Sequence, residues 1–463
     1  MNYRPYIVRP NHQFHANFTF KDIQYLCYIL LCTNLRFALI FQSFPLILHL
    51  QKTYIFLKTI LLPKIQQSFQ TEIPLPSSKS ESNRALIINA LAGGKNNLSN
   101  LAEARDTQTM MRLLASDDAV ADVIDAGTTM RFLTAYFAIT GQHKTMTGTP
   151  RMCERPIGIL VDALRFLGAD IQYINQEGYP PLQLKGFHFS GNNHLQIRGD
   201  VSSQYISAIL MIAPLLPEGL VLEITGELGS KPYIEMTLKQ MEAFGVKISR
   251  DWDNMMLTVP AQKYQPIPYA IESDWSGASY WFSVVALAES ENAELELLGL
   301  KENSLQGDSV ITDIMNHLGV KSEYTGRGFK LTKIPADNAL AWDFTNCPDL
   351  AQTVCVVAAA KNVLLTLTGI ESLKVKETDR IFALQTELAK MGTKLEEVET
   401  NHKYLLTPAP IMVQPTSIHT YDDHRMAMAF APLALLMDIV IEEPEVVVKS
   451  YPSFWKHFEK IQS

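Results

Sequence analysis

Residues 77–92 read SSKSESNRALIINALA, a short polar cluster that runs straight into a small, apolar helical stretch, and four of the six clusters of this kind put a cation or a Ser-Ser pair at the helix start. The same design returns as DAGTTMRFLTAYFA at 125–138, DVSSQYISAILMIA at 200–213, SDWSGASYWFSVVALA at 273–288, NCPDLAQTVCVVAAA at 346–360 and YDDHRMAMAFAPLALL at 421–436. With Ala85, Phe132, Tyr205, Tyr280, Thr353 and Met426 as equivalent positions, the intervals are 47, 73, 75, 73 and 73 residues. A fixed period of that size is an internal repeat. Lys or Arg is unfavourable at a helix start, where the macrodipole already presents positive charge, unless an anion binds there and uses both. The pattern therefore predicts a molecule built to hold phosphate or carboxylate groups.

A second amphipathic helix follows the first in each unit from the second onward, in RPIGILVDALRFLGADI (155–171), KPYIEMTLKQMEAFGVKI (231–248), SLQGDSVITDIMNHLGVKS (304–322) and VKETDRIFALQTELAKMGTKL (375–395). Apolar residues recur at three and four, and a Gly follows (Gly168, Gly245, Gly319, Gly392) where a C-cap is expected. Short β-rich pieces such as LVLEITG and VLLTLTG lie between. The unit is thus two helices plus about four strands, an α/β (α+β) fold. The first interval is shorter than the second by 73 − 47 = 26 residues, so the first unit is truncated. Six units divide most simply three and three. Residues 78–272 are expected to form one domain, and residues 55–77 with 273–463 the other, because the strand before Pro76 precedes the first helix as the strand before Asp274 precedes the fourth. The chain would then cross twice between domains, which makes a hinge with a ligand cleft beside it.

A net charge of −8 disfavours nucleic-acid binding by the chain as a whole, so the cations that matter must be local. The cysteines (Cys27, Cys32, Cys153, Cys347, Cys355) form no even disulfide framework, and neither they nor the scattered histidines show metal-ligand spacing. A reducing, cytoplasmic setting and no metal or cofactor are expected. Residues 1–54 do not match the rest: the only acid between Met1 and Glu72 is Asp22, and the run Ile23–Leu50 is apolar but interrupted by Asn34, Arg36, Gln42 and Pro45. It reads as an extension of unknown function, with membrane contact and targeting as the alternatives. A chain beginning near Thr53 is expected to keep all activity.

Ser78 or Ser80 is a good N-cap, and Ser80 and Arg84 share a helix face with Lys79 close by. Gly127 lets a ligand approach the backbone beside Thr128 and Arg131. Ser202-Ser203-Gln204 repeats the hydroxyl pair with an amide added, and Arg151 and Arg155 stand i, i+4 before Pro156, which suits a first helical position. Lys376-Glu377-Thr378-Asp379-Arg380 is read as a helix start with Lys376 and Arg380 on one face, while Asp349 opens the preceding helix and His424-Arg425 the next. Each motif alone also fits a solvated helix start; their recurrence at one phase of the repeat favours a shared cleft in which a carboxylate set among cations serves as general acid or base. Lys449 adds a further cation.

LPSSKSESNRAL, GTPRMCERPIG, VSSQY, SKPYIEMTL, VKETDR, TYDDHRMAM and KSYPSF, in that order over about residues 55–460, resemble the 5-enolpyruvylshikimate-3-phosphate synthase family. The resemblance implies two domains of three β-α-β-α-β-β units that close on their substrates. It also implies transfer of the enolpyruvyl group of phosphoenolpyruvate to the 5-hydroxyl of shikimate 3-phosphate with release of phosphate, a step towards aromatic amino acids, by a monomer. By motif match, shikimate 3-phosphate is expected at Lys79, Ser80, Arg84, Ser202, Ser203, Gln204, Ser230, Tyr233, Asp349 and Lys376. Phosphoenolpyruvate, and glyphosate in competition with it, is expected at Lys79, Gly127, Arg151, Gln204, Arg380, Arg425 and Lys449. Lys79 counts among the catalytic groups, Asp349 takes the hydroxyl proton and Glu377 protonates the methylene carbon. The chain departs from the family pattern at Ser77, Asp125, Phe132 and Ser372-Leu373-Lys374; Asp125 is expected to point away or to be neutralised by Arg131 or Arg84. Two rivals are the sister transferase acting on UDP-N-acetylglucosamine, whose Lys-Asn pair is not found where this chain has SKSESNR, and a membrane-tethered binding protein.

Overall fold

The six polar clusters do start helices, and in four of them a side-chain cap explains where; Gly127–Ile139 and Ala351–Ala360 start without one. Ser78 accepts from the N–H of Glu81 ahead of helix Lys79–Leu91, Ser202 from Gln204 ahead of Ser203–Ile212, Asp274 from Ser276 ahead of Trp275–Leu287, and Asp423 from Arg425 ahead of His424–Phe430. Each cap satisfies one of the donors a helix start leaves unpaired. The computed structural model describes residues 59–95, 97–200, 202–410 and 416–462, so the reading of residues 1–54 lies outside the described residues. Among the latter, no helix is long and apolar enough to cross a membrane.

One strand order occurs four times. Val120–Asp122 pairs parallel with His143–Thr147, which is followed across the sheet by two antiparallel neighbours, Leu182–Phe187 and Ala169–Tyr173. His194–Arg198 and Leu220–Thr225 begin a second such sheet, Gln70–Pro74 and Glu294–Leu298 a third, and Ala339–Asp343 and Leu364–Thr368 a fourth. A parallel pair needs a crossover connection, and the buried repeat helices supply it. One of the most enclosed of them is also among the most apolar: in Trp275–Leu287 every residue but Ser276 is buried.

Two further sheets are smaller. Tyr269–Ala270 runs parallel to Leu98–Ser99, while Thr59–Leu62 pairs antiparallel with Ile439–Glu442, which is parallel to Thr416–Ile418. The strand before the first repeat helix therefore pairs with Glu294–Leu298, beyond the fourth, and the strand before the fourth pairs with Leu98–Ser99, beyond the first. The chain exchanges strands at two crossings. These crossings touch: the N–H of Ser78 donates to the carbonyl of Glu272 at 2.8 Å, and that of Asp274 to Pro76 at 2.8 Å. The Glu81 carboxylate accepts from the N–H of Glu272 at 3.0 Å and the hydroxyl of Tyr269 at 2.7 Å, while the Glu272 carboxylate accepts from Trp275 Nε1 at 2.9 Å and Ser304 Oγ at 2.7 Å. Two hydrophobic cores result, one drawn from residues 62–75 and 275–461, the other from residues 87–264.

Two local expectations are corrected. Pro156 does not open a helix: the helix is Gly158–Leu167, and Pro150 holds the first position of a short helix, Pro150–Cys153. Gly168 then ends Gly158–Leu167 at φ 115°, a conformation that disfavours any Cβ. Lys376 and Arg380 do not share a helix face, because Asp379 caps both Ile381 and Phe382 and the helix begins only at Arg380. Lys376 lies in the preceding loop, which frees it to point elsewhere.

Candidate active site

A cavity of about 910 Å³ lies between the two cores, walled by the starts of the repeat helices. Lys79, Ser80, Arg84, Gly127, Ser202, Ser203, Gln204, Ser230 and Tyr233 reach it from one half, and Asp349, Lys376, Glu377, Arg380 and Arg425 from the other. Arg151 and Lys449 do not line it. Arg155 and Asp274, which motif matching passed over, do. The i, i+4 spacing of Arg151 and Arg155 was visible in the sequence, but which of the pair turns inward depends on the short helix Pro150–Cys153.

Arg84 is buried yet has no carboxylate within 4 Å among the described residues. Its Nε donates to Thr237 Oγ1 at 2.7 Å, Nη1 to the Ser80 carbonyl at 3.0 Å and Nη2 to Ser207 Oγ at 3.3 Å. The guanidinium also lies 5.3 Å from the Phe132 ring centroid and 5.7 Å from that of Tyr233. Arg131 is likewise held by neutral partners, donating to the carbonyls of Gly127 at 3.2 Å and Pro156 at 2.8 Å. Burial lowers both to about 10, which still leaves them charged at neutral pH. Buried cations without counter-ions are costly, and an anionic ligand removes that cost. Gln204 Nε2 donates to Thr128 Oγ1 at 3.1 Å above this floor. Ser230 adopts φ 56°, a left-handed conformation, and its N–H donates to Thr345 in the other half at 3.0 Å.

On the opposite wall the cations are matched. Arg380 binds Asp349 Oδ1 through Nη1 at 3.0 Å, Glu377 Oε2 through Nη2 at 3.0 Å and Asp423 Oδ2 through Nε at 2.7 Å. Arg425 Nη2 binds Asp349 Oδ2 at 2.7 Å, and its Nη1 donates to Tyr280 at 3.3 Å. Burial would raise the Asp349 carboxyl, but Arg425, Lys376 and Arg380 outweigh it and hold Asp349 well below the usual carboxylate range. Burial works against Glu377 too, and Arg380, Arg155 and Lys449 keep it ionised. One fifth of the Asp349 side chain remains open to the cavity.

Salt bridges also cross between the halves. Lys449 Nζ, itself buried, reaches Asp125 Oδ2 at 2.8 Å, Asp106 Oδ1 at 3.4 Å and Glu377 Oε1 at 3.8 Å. Lys79 takes the other oxygen of Asp106 at 3.1 Å. Asp125 is neutralised not by Arg131 or Arg84 but by Lys449 and by Arg105 at 2.9 Å. Arg151 is half exposed and donates to the carbonyls of Glu377 at 3.2 Å and Lys376 at 3.3 Å, which ties its loop to the loop that carries Glu377. At Gly127 an added Cβ would lie 2.8 Å from Arg155 Nη1, so this glycine lets the guanidinium approach the helix start. Among the described residues no group of acidic, His or Cys side chains could hold a metal ion.

The family model for EPSP synthase (3-phosphoshikimate 1-carboxyvinyltransferase) matches residues 63–116 and 112–458. The chain is 49% identical over 392 residues to the 3-phosphoshikimate 1-carboxyvinyltransferase of Bacteroides fragilis, covering 84% of this chain and 94% of that relative. It is 38% identical over 417 residues to the enzyme of that name from Escherichia coli, covering 84% and 96%. The solved EPSP synthase of Acinetobacter baumannii superposes with a TM-score of 0.67 at 21% identity, over 87% of this chain and 98% of that one, and shares the fold. Matched over most of its length by the family model, and 38–49% identical over 84% of its length to relatives of that name, the chain belongs to the EPSP synthase family.

Proposed function

We propose that the chain acts as a 3-phosphoshikimate 1-carboxyvinyltransferase, moving the enolpyruvyl group of phosphoenolpyruvate to the 5-hydroxyl of shikimate 3-phosphate and releasing inorganic phosphate. The observation that carries this reading is one cavity with uncompensated buried arginines on one wall and two ionised carboxylates clamped by arginines on the other. Both substrates are anions, and preorganised cations in a site sheltered from water stabilise charge far better than water does. The reading invokes no metal or cofactor.

Arg84, Ser80, Ser202, Ser203, Ser230 and Tyr233 would hold shikimate 3-phosphate, with Lys376 at its hydroxyl side. Lys79, Gly127, Gln204, Arg380 and Arg425 would hold phosphoenolpyruvate, with Arg155 alongside. Lys449 and Arg151 would act from behind the wall, since their polar atoms are already committed to Asp125 and to the Glu377 loop. Asp349 accepts the proton of the 5-hydroxyl as that oxygen attacks the enol carbon, and Glu377 delivers a proton to the methylene carbon. The tetrahedral adduct then loses that methyl proton and phosphate together. Glu377 can deliver a proton only if its carboxylate is first released from the cations that hold it low. Phosphoenolpyruvate supplies that release, because its phosphate and carboxylate compete for Arg380 and Arg155. The same anions would pull the two halves, residues 78–272 and residues 55–77 with 273–463, together as closing domains of a cytoplasmic monomer.

Phosphate release by the full chain tests the activity: turnover requires both substrates, and UDP-N-acetylglucosamine does not replace shikimate 3-phosphate. Release with the nucleotide sugar alone as acceptor overturns the assignment. X-ray scattering tests closure, which predicts a smaller radius of gyration on adding shikimate 3-phosphate; an unchanged radius rejects it.

A further inference from the structure

Ser276 is the second residue of helix Trp275–Leu287 and forms part of the cavity wall. Its N–H donates to Asp274 Oδ1 at 3.1 Å, and its hydroxyl donates to Asp308 Oδ2. Asp308 lies in the short turn Gly307–Val310, buried behind the wall rather than lining it. Its other oxygen, Oδ1, is sealed from solvent and has no hydrogen-bond partner. A buried carboxyl with an unsatisfied oxygen is costly and uncommon, and an amide or apolar side chain would serve packing better. Burial, with Asp349 and Asp274 adding to it and Arg425 and the Ser276 hydroxyl opposing it, pushes Asp308 up to about 7. A group this expensive to bury calls for a functional account.

A hydroxyl has one proton and two acceptor lone pairs. With its proton committed to Asp308, Ser276 offers the cavity an acceptor only. The anionic groups of either substrate are themselves acceptors and gain nothing there; a substrate hydroxyl, which donates, does. We propose that Asp308 is a positioning residue that, by holding the Ser276 proton, presents the Ser276 oxygen as a fixed acceptor for a ring hydroxyl of the acceptor substrate. The proposal rests on the transferase reading, in which shikimate 3-phosphate carries such hydroxyls and phosphoenolpyruvate carries none. The pair thus discriminates the acceptor and is indifferent to the donor.

Steady-state kinetics on the full chain test this, once phosphate release by the unaltered protein is established; absence of that turnover sinks the transferase reading itself, whereas the proposal fails on the variants. Ser276→Ala and Asp308→Ala are each expected to lower kcat/KM for shikimate 3-phosphate about tenfold through KM, the size of one lost hydrogen bond, while KM for phosphoenolpyruvate moves less than about twofold. The double variant is expected to be no worse than either single one, because both remove the same interaction. Ser276→Thr and Asp308→Asn, which keep the donor and an acceptor for it, should recover most of the loss. Equal rises in both KM values, additive losses, or an unaltered shikimate 3-phosphate KM in Ser276→Ala would each overturn the proposal. Should Asp308→Ala fail to fold, Ser276→Ala and its Thr counterpart decide alone.

Discussion

The two walls of the cavity carry similar cations in opposite electrostatic settings. Arg84 and Arg131 are surrounded by hydroxyls, carbonyls and aromatic faces, whereas Arg380 and Arg425 are surrounded by Asp349, Glu377 and Asp423. A cation with neutral partners is a standing site for a permanent anion. A cation paired with carboxylates is a switch, since an incoming anion that takes the cation hands the carboxylate back its proton affinity. Under the transferase reading proposed above, the difference suits one wall to anchoring and the other to proton transfer.

The largest effect is expected at the matched wall. Arg380→Met takes one cation from three carboxylates at a buried position, leaving Asp349 to Arg425 and Glu377 to Arg155 and Lys449, and breaking the buried Arg380–Asp423 pair costs about 3–5 kcal/mol of stability. Thermal melting should show a drop of many degrees; a melting curve close to that of the unaltered chain would mean that these pairs contribute little. Lys79→Met and Arg425→Ala come next, each lowering turnover by at least about a hundredfold because each removes a positioned cation facing developing charge. A variant that keeps more than half of the turnover has no such role.

At the neutral wall the balance reverses. Arg84→Met should raise KM for shikimate 3-phosphate by roughly ten- to a hundredfold while melting changes little, since charge-assisted bonds to the ligand are lost. The partners left behind remain satisfied, because Thr237 Oγ1 already bonds Ser207 Oγ at 2.9 Å. If Arg84→Met melts as low as Arg380→Met, the contrast between the walls is wrong. Gly127→Ala is smaller still: its methyl displaces the flexible end of Arg155 and should weaken glyphosate more than phosphoenolpyruvate, read as the ratio of inhibition constant to KM.

The smallest effect is a pH dependence, and the two kinds of carboxyl have opposite signs. Asp349 and Glu377 are depressed, so their contribution to stability is present above about pH 4–5 and lost as pH falls below it. Asp308 and Asp274 are raised by burial to about 7 and about 6, so they favour the folded state at low pH and lose that contribution as pH rises through 6–7. Asp308→Asn should therefore melt progressively higher than the unaltered chain between pH 6 and 8. A constant difference across that range would show that Asp308 does not titrate there.

Much of the site was legible because its signals are local. Fourteen of the sixteen residues expected from motifs line the cavity, since each motif sits at a helix start and the repeat brings those starts to one place. The two that lie off the wall depend on contacts of longer range. Lys449 reads as a ligand cation but is spent on Asp125 and Asp106, more than 320 positions away in sequence, and Arg151 yields the cavity to Arg155. Asp125 found Arg105 and Lys449, not the arginines nearest in motif, because nothing in a sequence measures the distance between side chains on different units.

From the sequence come the six helix starts, the side chains that cap four of them, and the motifs whose residues line the cavity. All of these are written in contacts between residues a few positions apart, which spacing and residue type specify. The exchange of strands Gln70–Pro74 and Tyr269–Ala270 between units, the closure of the last sheet by Thr59–Leu62, and the ionisation of Asp349, Glu377 and Asp308 belong to the folded molecule. Strand pairing and the Coulomb field of a buried group depend on which distant segments meet and how much water they exclude, and neither is set until the chain has folded.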